Sequence, residues 1–276
     1  MDRIRLIASD MDATLLDEQS QLPADFEETI HALAELGIRF APASGRPLYT
    51  LEAMFPTLQD ELVFIGDNGG AIRWKGQNLF TSEMSPDGWR ALNRLTREQG
   101  DIAVLCGLES AYVERPFAVH DAVLRHFYTK IEYVDRLEDV TAPADKFTIY
   151  LPQHNAQQAY DTVYASQRSI YSVAVAGECW VDIMNPGVHK GAALQTLGQL
   201  WGLPSESIMA FGDTYNDAEM LQTVRYGFLM ENGSEPLRQK VPFLAPSHRE
   251  AGVMQVLHRV LAQNGCVCPE DFIPAH

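Results

Sequence analysis

The sequence predicts an α/β fold, a doubly wound, Rossmann-like parallel-sheet core with an α+β module inserted into it. Three observations predict this. Short apolar runs alternate with amphipathic stretches before residue 82 and again from about residue 189 onward. Between them, residues 82–184 mix helical stretches with short strands and carry much of the aromatic content. At 276 residues the chain exceeds one typical domain of ~100–200 residues without requiring two independent ones. On this reading residues 1–81 and 185–276 form the core, and 82–184 form a cap.

The elements follow in order. Residues 4–9 read as a buried strand that ends in acidic residues. Residues 23–36 read as a helix with Phe26, Ile30, Leu33 and Ala34 on one face and Gly37 as its stop. A second strand, 38–43, ends at Ser44-Gly45-Arg46-Pro47, and a helix is expected to follow through Phe55. A third strand, 62–65, leads to a hairpin of 71–74 and 78–81. In the insert, strands are expected at 103–105, 147–151 and 180–183. Residues 189–201 are then helical, with Leu194, Leu197 and Trp201 on one face and Gly202 and Pro204 ending the run. Residues 208–211 form a strand ending at Gly212-Asp213, followed by a short helix through Leu221, strands at 226–230 and 243–244, and a closing helix marked by Val253, Val256, Leu257 and Val260.

The composition, 46% hydrophobic and 21% charged, is that of an ordinary globular protein. With 21 Lys and Arg against 37 Asp and Glu, the formal charge is −16, which disfavours nucleic acid and anionic membranes as partners. A site for an anionic substrate must therefore be made locally positive by a metal and a few placed cations. Cys106, Cys179, Cys266 and Cys268 show no zinc spacing and read as reduced thiols. The first residues run into an acidic loop without the features of a signal peptide, and no apolar run reaches the ~18 residues of a membrane span. A cytoplasmic protein is expected.

In a doubly wound sheet, ligands bind beyond the carboxyl ends of the strands. Asp10 and Asp12, Ser44 and Asp213 all fall there. In an extended segment Asp10 and Asp12 would point to the same side, ~7 Å apart. One carboxylate can accept a phosphoryl group covalently while the other manages the proton of the leaving oxygen and then of water. Asp near a strand end is also a common turn residue. Asp213, Asn216 and Asp217 add two carboxylates and an amide, suited to Mg²⁺, and either Asp213 or Thr214 can cap the following helix. Asp217 can fix a ligating water or hold Lys190. Ser44 offers a hydroxyl beside a helix start. Lys190 gains meaning only from this context, because most lysines are solvated.

Together these residues resemble the haloacid dehalogenase-like phosphatases of the Cof type. Asp10-Met11-Asp12-Ala13-Thr14-Leu15-Leu16 is similar to the family's first motif, Ser44-Gly45-Arg46 to the second, Lys190-Gly191 to the third and Gly212-Asp213-Thr214-Tyr215-Asn216-Asp217 to the fourth. Asn68-Gly69-Gly70 is similar to its Asn-Gly loop, and the stretch Cys106 to Val113 resembles enterobacterial sugar phosphatases. The resemblance implies a Mg²⁺-dependent phosphatase of small phosphorylated metabolites, sugar phosphates foremost, working through an aspartyl-phosphate. It implies Asp10 as nucleophile and Asp12 as general acid and base. Asp10, the Asp12 backbone carbonyl and Asp213 would hold the metal, with Asn216 and Asp217 in support. Ser44, Gly45, Lys190 and Asn216 would bind the phosphoryl group, and Arg46 and Asn68 would reach the substrate. A phosphotransferase or phosphomutase, or a non-catalytic phospho-ligand sensor, is the alternative. The pattern departs from the family at Ala13, where Gly is usual. Ala13 is expected to adopt an ordinary negative φ, which would leave the loop unstrained. A nicotinamide dehydrogenase is excluded by the absence of G-x-G-x-x-G after the first strand.

Overall fold

The apolar runs become the middle of a nine-stranded sheet in the computed structural model, which describes residues 1–276. In chain order its principal elements are β1 (Leu6–Asp10), α1 (Phe26–Glu35), β2 (Arg39–Ala43), β3 (Val63–Gly66), β4 (Ala71–Trp74), β5 (Gln77–Thr81), α2 (Lys190–Trp201), β6 (Ile208–Gly212), α3 (Ala218–Thr223), β7 (Tyr226–Met230), β8 (Phe243–Ala245) and α4 (Gly252–Ala262). The strand order is β8-β7-β6-β1-β2-β3-β4-β5, with Ile273–Pro274 beyond β8. Strands β8 through β3 are parallel. β1, β6 and β7 are buried at every position, as strands covered on both faces must be.

The parallel core is flanked by antiparallel strands, one of them in the hairpin expected at 71–74 and 78–81. β4 runs antiparallel to β3, and Ile273–Pro274 runs antiparallel to β8. The reversal into β5 is a two-residue turn at Lys75 and Gly76, both with positive φ (51° and 71°). That is the type I′ geometry that suits the twist of a hairpin.

Helical periodicity sets the covering layers. α1 buries Phe26, Ile30 and Leu33, with Phe26 edge-on to Phe40 of β2 at 5.4 Å. α4 buries Val253, Val256, Leu257 and Val260. Phe211, Phe228, Phe243 and Phe272 pack in succession, with centroid separations of 5.0, 5.3 and 5.7 Å. Such aromatic pairs add ~0.5–1.5 kcal/mol each beyond burial.

The chain divides into two compact units. One comprises Met1–Gly45, Phe55–Leu79 and His189–His276, and the other Arg46–Met54 and Phe80–Val188. The helix Leu48–Ala53 thus belongs with the insert, because Tyr49 packs with Val104, Cys106, Leu124, Tyr128 and Trp180. The second unit is built on a six-stranded sheet in the order 172–175, 180–184, 144–150, 102–107, 111–114, 131–134. Its opposite face holds Trp89, Leu105, Phe147, Ile149, Val181 and Ile183. Trp180 is a core residue there, 4.6 Å from Tyr150 and 5.1 Å from Phe127 between ring centroids. No helix is long and apolar enough to cross a membrane.

Topology fixes where chemistry can occur. From β1 the chain winds to β2 and β3 on one flank, then returns through α2 to β6 on the other. The crevice at such a reversal opens beyond the carboxyl ends of the two strands. Asp10 ends β1, and Asp213 follows β6.

Candidate active site

Asp10, Asp213 and Asp217 each place a carboxylate oxygen within 4.8 Å of the other two. Lys190, the first residue of α2, is wholly buried against them. Its ammonium donates to Asp10 Oδ1 and, at 2.7 Å, to Asp217 Oδ1. His189 caps that helix by accepting the Ala192 N–H on Nδ1 at 3.2 Å. Residues separated by 180 positions in the sequence therefore share one hydrogen bond.

Three carboxylates surround one ammonium. Burial pushes the Asp10 carboxyl up to about 8, and Asp217 adds to this, while Lys190 opposes it. Burial, then Asp217, raises Asp213 to about 6. Burial alone would lower the Lys190 ammonium, but Asp10 and Asp217 outweigh it and hold the charge. All the shifts express one deficit of positive charge. A hard divalent cation held by carboxylate oxygen fits this donor set.

Asp217 has little left to offer a metal. Its Oδ1 accepts from Lys190, and its Oδ2 accepts the N–H groups of Asp213 (3.0 Å) and Thr214 (3.2 Å). The second of these completes a capping box with Thr214. Thr214 is the cap, as the sequence allowed, and Asp217 joins it while also holding Lys190. The arrangement depends on Gly212, since a Cβ there would lie 2.4 Å from the Asp217 Cβ.

Asp12 lies outside the carboxylate cluster. It is exposed, in a tight turn over Met11–Leu15 that closes with Leu16 N–H donating to Met11 C=O at 2.9 Å. The turn corrects the sequence expectation at Ala13, whose φ is +57° rather than negative. The chain must reverse directly beyond β1, and a left-handed residue accomplishes this. For an L-residue other than Gly that conformation costs roughly 1–2 kcal/mol. Thr14 donates weakly to Asp213 Oδ1, at 3.5 Å.

Ser44 is buried at the end of β2, with its N–H donating to Ile65 C=O and its C=O accepting from Asn68 N–H, both at 2.9 Å. The Asn68 side chain lies beside Gly45, where a Cβ would come within 3.2 Å of Nδ2. Asn68 Oδ1 also accepts from Asn216 Nδ2 at 3.5 Å. Asp67, Asn68 and Gly69 all have positive φ, and a Cβ on Gly69 would meet the His189 carbonyl at 2.6 Å. This loop is thereby seated on the start of the helix that carries Lys190. Arg46 falls in the second unit, half-buried, with Nη1 3.4 Å from Met54 Sδ. Sequence reasoning missed Asn232, whose Nδ2 donates to Ala13 C=O at 2.8 Å. An Asn-Gly pair in a turn carries no signal of a partner more than 200 residues away.

A profile of the haloacid dehalogenase-like hydrolases matches residues 7–257. The chain belongs to that family. This hydrolase is 32% identical over 262 residues to the 5-amino-6-(5-phospho-D-ribitylamino)uracil phosphatase YbjI of Escherichia coli K12, covering 94% of this chain and 96% of the relative. It is 31% identical to the HMP-PP phosphatase of Cronobacter sakazakii, covering 87% and 89%. The crystal structure of a Streptococcus mutans UA159 protein superposes with a TM-score of 0.84 at 28% identity, covering 94% of this chain and 99% of its own. The hydrolase is a Cof-type phosphatase.

Proposed function

We propose that the chain is a Mg²⁺-dependent phosphatase that cleaves small phosphorylated metabolites, sugar phosphates foremost, through an aspartyl-phosphate on Asp10. The observation that carries this is the trio of carboxylates around the buried Lys190 ammonium at the ends of β1 and β6. Asp10 Oδ attacks phosphorus, and the bond from phosphorus to the ester oxygen breaks. Asp12 gives its proton to that oxygen, then takes one from the water that attacks the phosphoryl-enzyme. The phosphorus–Asp10 bond breaks, inorganic phosphate leaves and Asp10 returns as a carboxylate. Lys190, Ser44 and the Asn68–Asn216 pair hold the phosphoryl oxygens. Asp10, Asp213 and the Asp12 backbone carbonyl would hold the cation, which when bound offsets the negative charge of the phosphoryl group.

The second unit would set specificity, because the core chemistry is common to any phosphate monoester. The relative YbjI is named for a substrate with a phosphorylated ribityl chain, which favours phosphorylated sugars and sugar alcohols here.

Release of inorganic phosphate from an aryl phosphate, with and without Mg²⁺, tests the chemistry. Asp10→Asn should lower kcat at least ~1,000-fold, in the range expected when a nucleophile is lost. Wild-type turnover by the folded variant, or activity that survives exhaustive chelation, would end the proposal. Transfer to a sugar acceptor without net phosphate release would make the enzyme a phosphotransferase. A panel of sugar phosphates against nucleotides tests the substrate class, and preference for nucleotides would overturn it.

A further inference from the structure

The turn after β7 is bonded to both acidic loops. Asn232 Nδ2 donates to Ala13 C=O at 2.8 Å, and its Oδ1 accepts the His248 N–H at 3.0 Å. Two residues on, Ser234 N–H donates to Asp213 C=O at 2.7 Å. The carboxamide is suited to this bridge. It presents a donor and an acceptor on a short stem, so it satisfies a carbonyl and an amide at once. The bond to Ala13 falls on the residue of the nucleophile loop held left-handed, at φ 57° and ψ 13°. Left to itself, an alanine peptide favours other regions.

We propose that Asn232 is a positioning residue for the phosphatase reaction. It fixes the peptide that follows Ala13, which keeps the turn left-handed and the Asp12 carboxyl in line with the leaving oxygen. It touches no reacting atom and acts only through the loop. The bridge is what allows an alanine to occupy a position where glycine would adopt the same φ freely. The competing account is that Asn232 merely shapes its own turn, in which Gly233 N–H donates to Met230 C=O at 2.7 Å.

The inference rests on Asp10 and Asp12 acting as nucleophile and acid, and a double-mutant cycle with two substrates separates the two ideas. Asn232→Ala and the isosteric Asn232→Asp are made in the wild-type and Ala13→Gly backgrounds, with melting temperatures recorded. Asp keeps the acceptor for His248 but turns a second acceptor toward the Ala13 carbonyl. Both variants should lower kcat/KM for an alkyl phosphate about 10- to 30-fold, as expected when the bond to the Ala13 carbonyl is lost and its acceptor is left unpaired. With an aryl phosphate, whose leaving oxygen needs a proton less, the loss should stay under ~5-fold. In the Ala13→Gly background the alkyl loss should shrink to under ~3-fold, because glycine populates the left-handed region unaided. Equal losses in both backgrounds, equal losses on both substrates, or an Asn232→Asp enzyme as active as the wild type would each overturn the role of Asn232. A fully active Asp10→Asn enzyme would instead sink the catalytic assignment beneath it.

Discussion

Ala13 shows how one methyl group converts a common turn into a strained one. At φ +57° the Cβ crowds the backbone, at a cost of roughly 1–2 kcal/mol. Glycine would remove that cost but add ~0.4–1 kcal/mol of unfolded-chain entropy. The first effect is the larger. Ala13→Gly should therefore leave the melting temperature unchanged or raise it by a few degrees, and should alter kcat/KM by less than ~5-fold. A melting temperature lowered by more than about 3 °C would mean that the left-handed turn carries no strain. The opposite sign would have been expected from sequence, because φ is set by where the chain must go next. Neither Met11 nor Thr14 reveals that the loop closes between Leu16 N–H and Met11 C=O.

At the scale of elements, β6, its following turn and α2 are held together by one side chain. Asp217 caps the turn through two N–H groups and holds Lys190 with its other oxygen. The close approach of Asp217 to Gly212 makes this possible. Gly212→Ala should destabilise the protein by ~1–3 kcal/mol through overpacking, and should lower kcat as well because Lys190 moves with Asp217. Chemical denaturation and turnover on the same sample check both; loss of stability with unchanged kcat would separate the cap from the chemistry. Much of this scale was legible beforehand. Gly37 and Gly202 end helices with φ of 72° and 62°, as their positions suggested, and the strand at Tyr226–Met230 falls where the apolar run placed it. Three short strands were not legible. Asp2–Arg3, Cys266–Val267 and Ile273–Pro274 are each two residues long, too short for any period to register, whereas β8 falls where the strand at 243–244 was expected. The helix Leu48–Ala53 could be foreseen, but its membership in the second unit depends on Tyr49 packing, which no local pattern encodes.

For the molecule as a whole, the formal charge of −16 makes the carboxylate cluster one acidic locus among many, distinguished by burial. Convergence of Asp10, Ser44 and Asp213 was readable because parallel strands must end at one edge, whereas Lys190, at a helix start, gained meaning only from that context. The state of charge there was not readable, since burial is a property of the finished fold. Its consequence is a count of protons. Asp10 is raised to about 8 and Asp213 to about 6, above the ordinary carboxylate value near 4. The metal-free folded protein thus retains protons that the unfolded chain has released, and the stability these protons sustain is lost as pH rises through that window. On the proposed reading a divalent cation would take their place. At pH 7 loading with Mg²⁺ should expel about one proton per molecule, mainly from Asp10, with more expelled near pH 5.5 and almost none at pH 9. Titration calorimetry in buffers of different ionisation enthalpy measures that number, and a count near zero at pH 7 would refute it. Without metal the enzyme would in this sense be a small acid reservoir, and the cation proposed to ready it for phosphate would also acidify its surroundings.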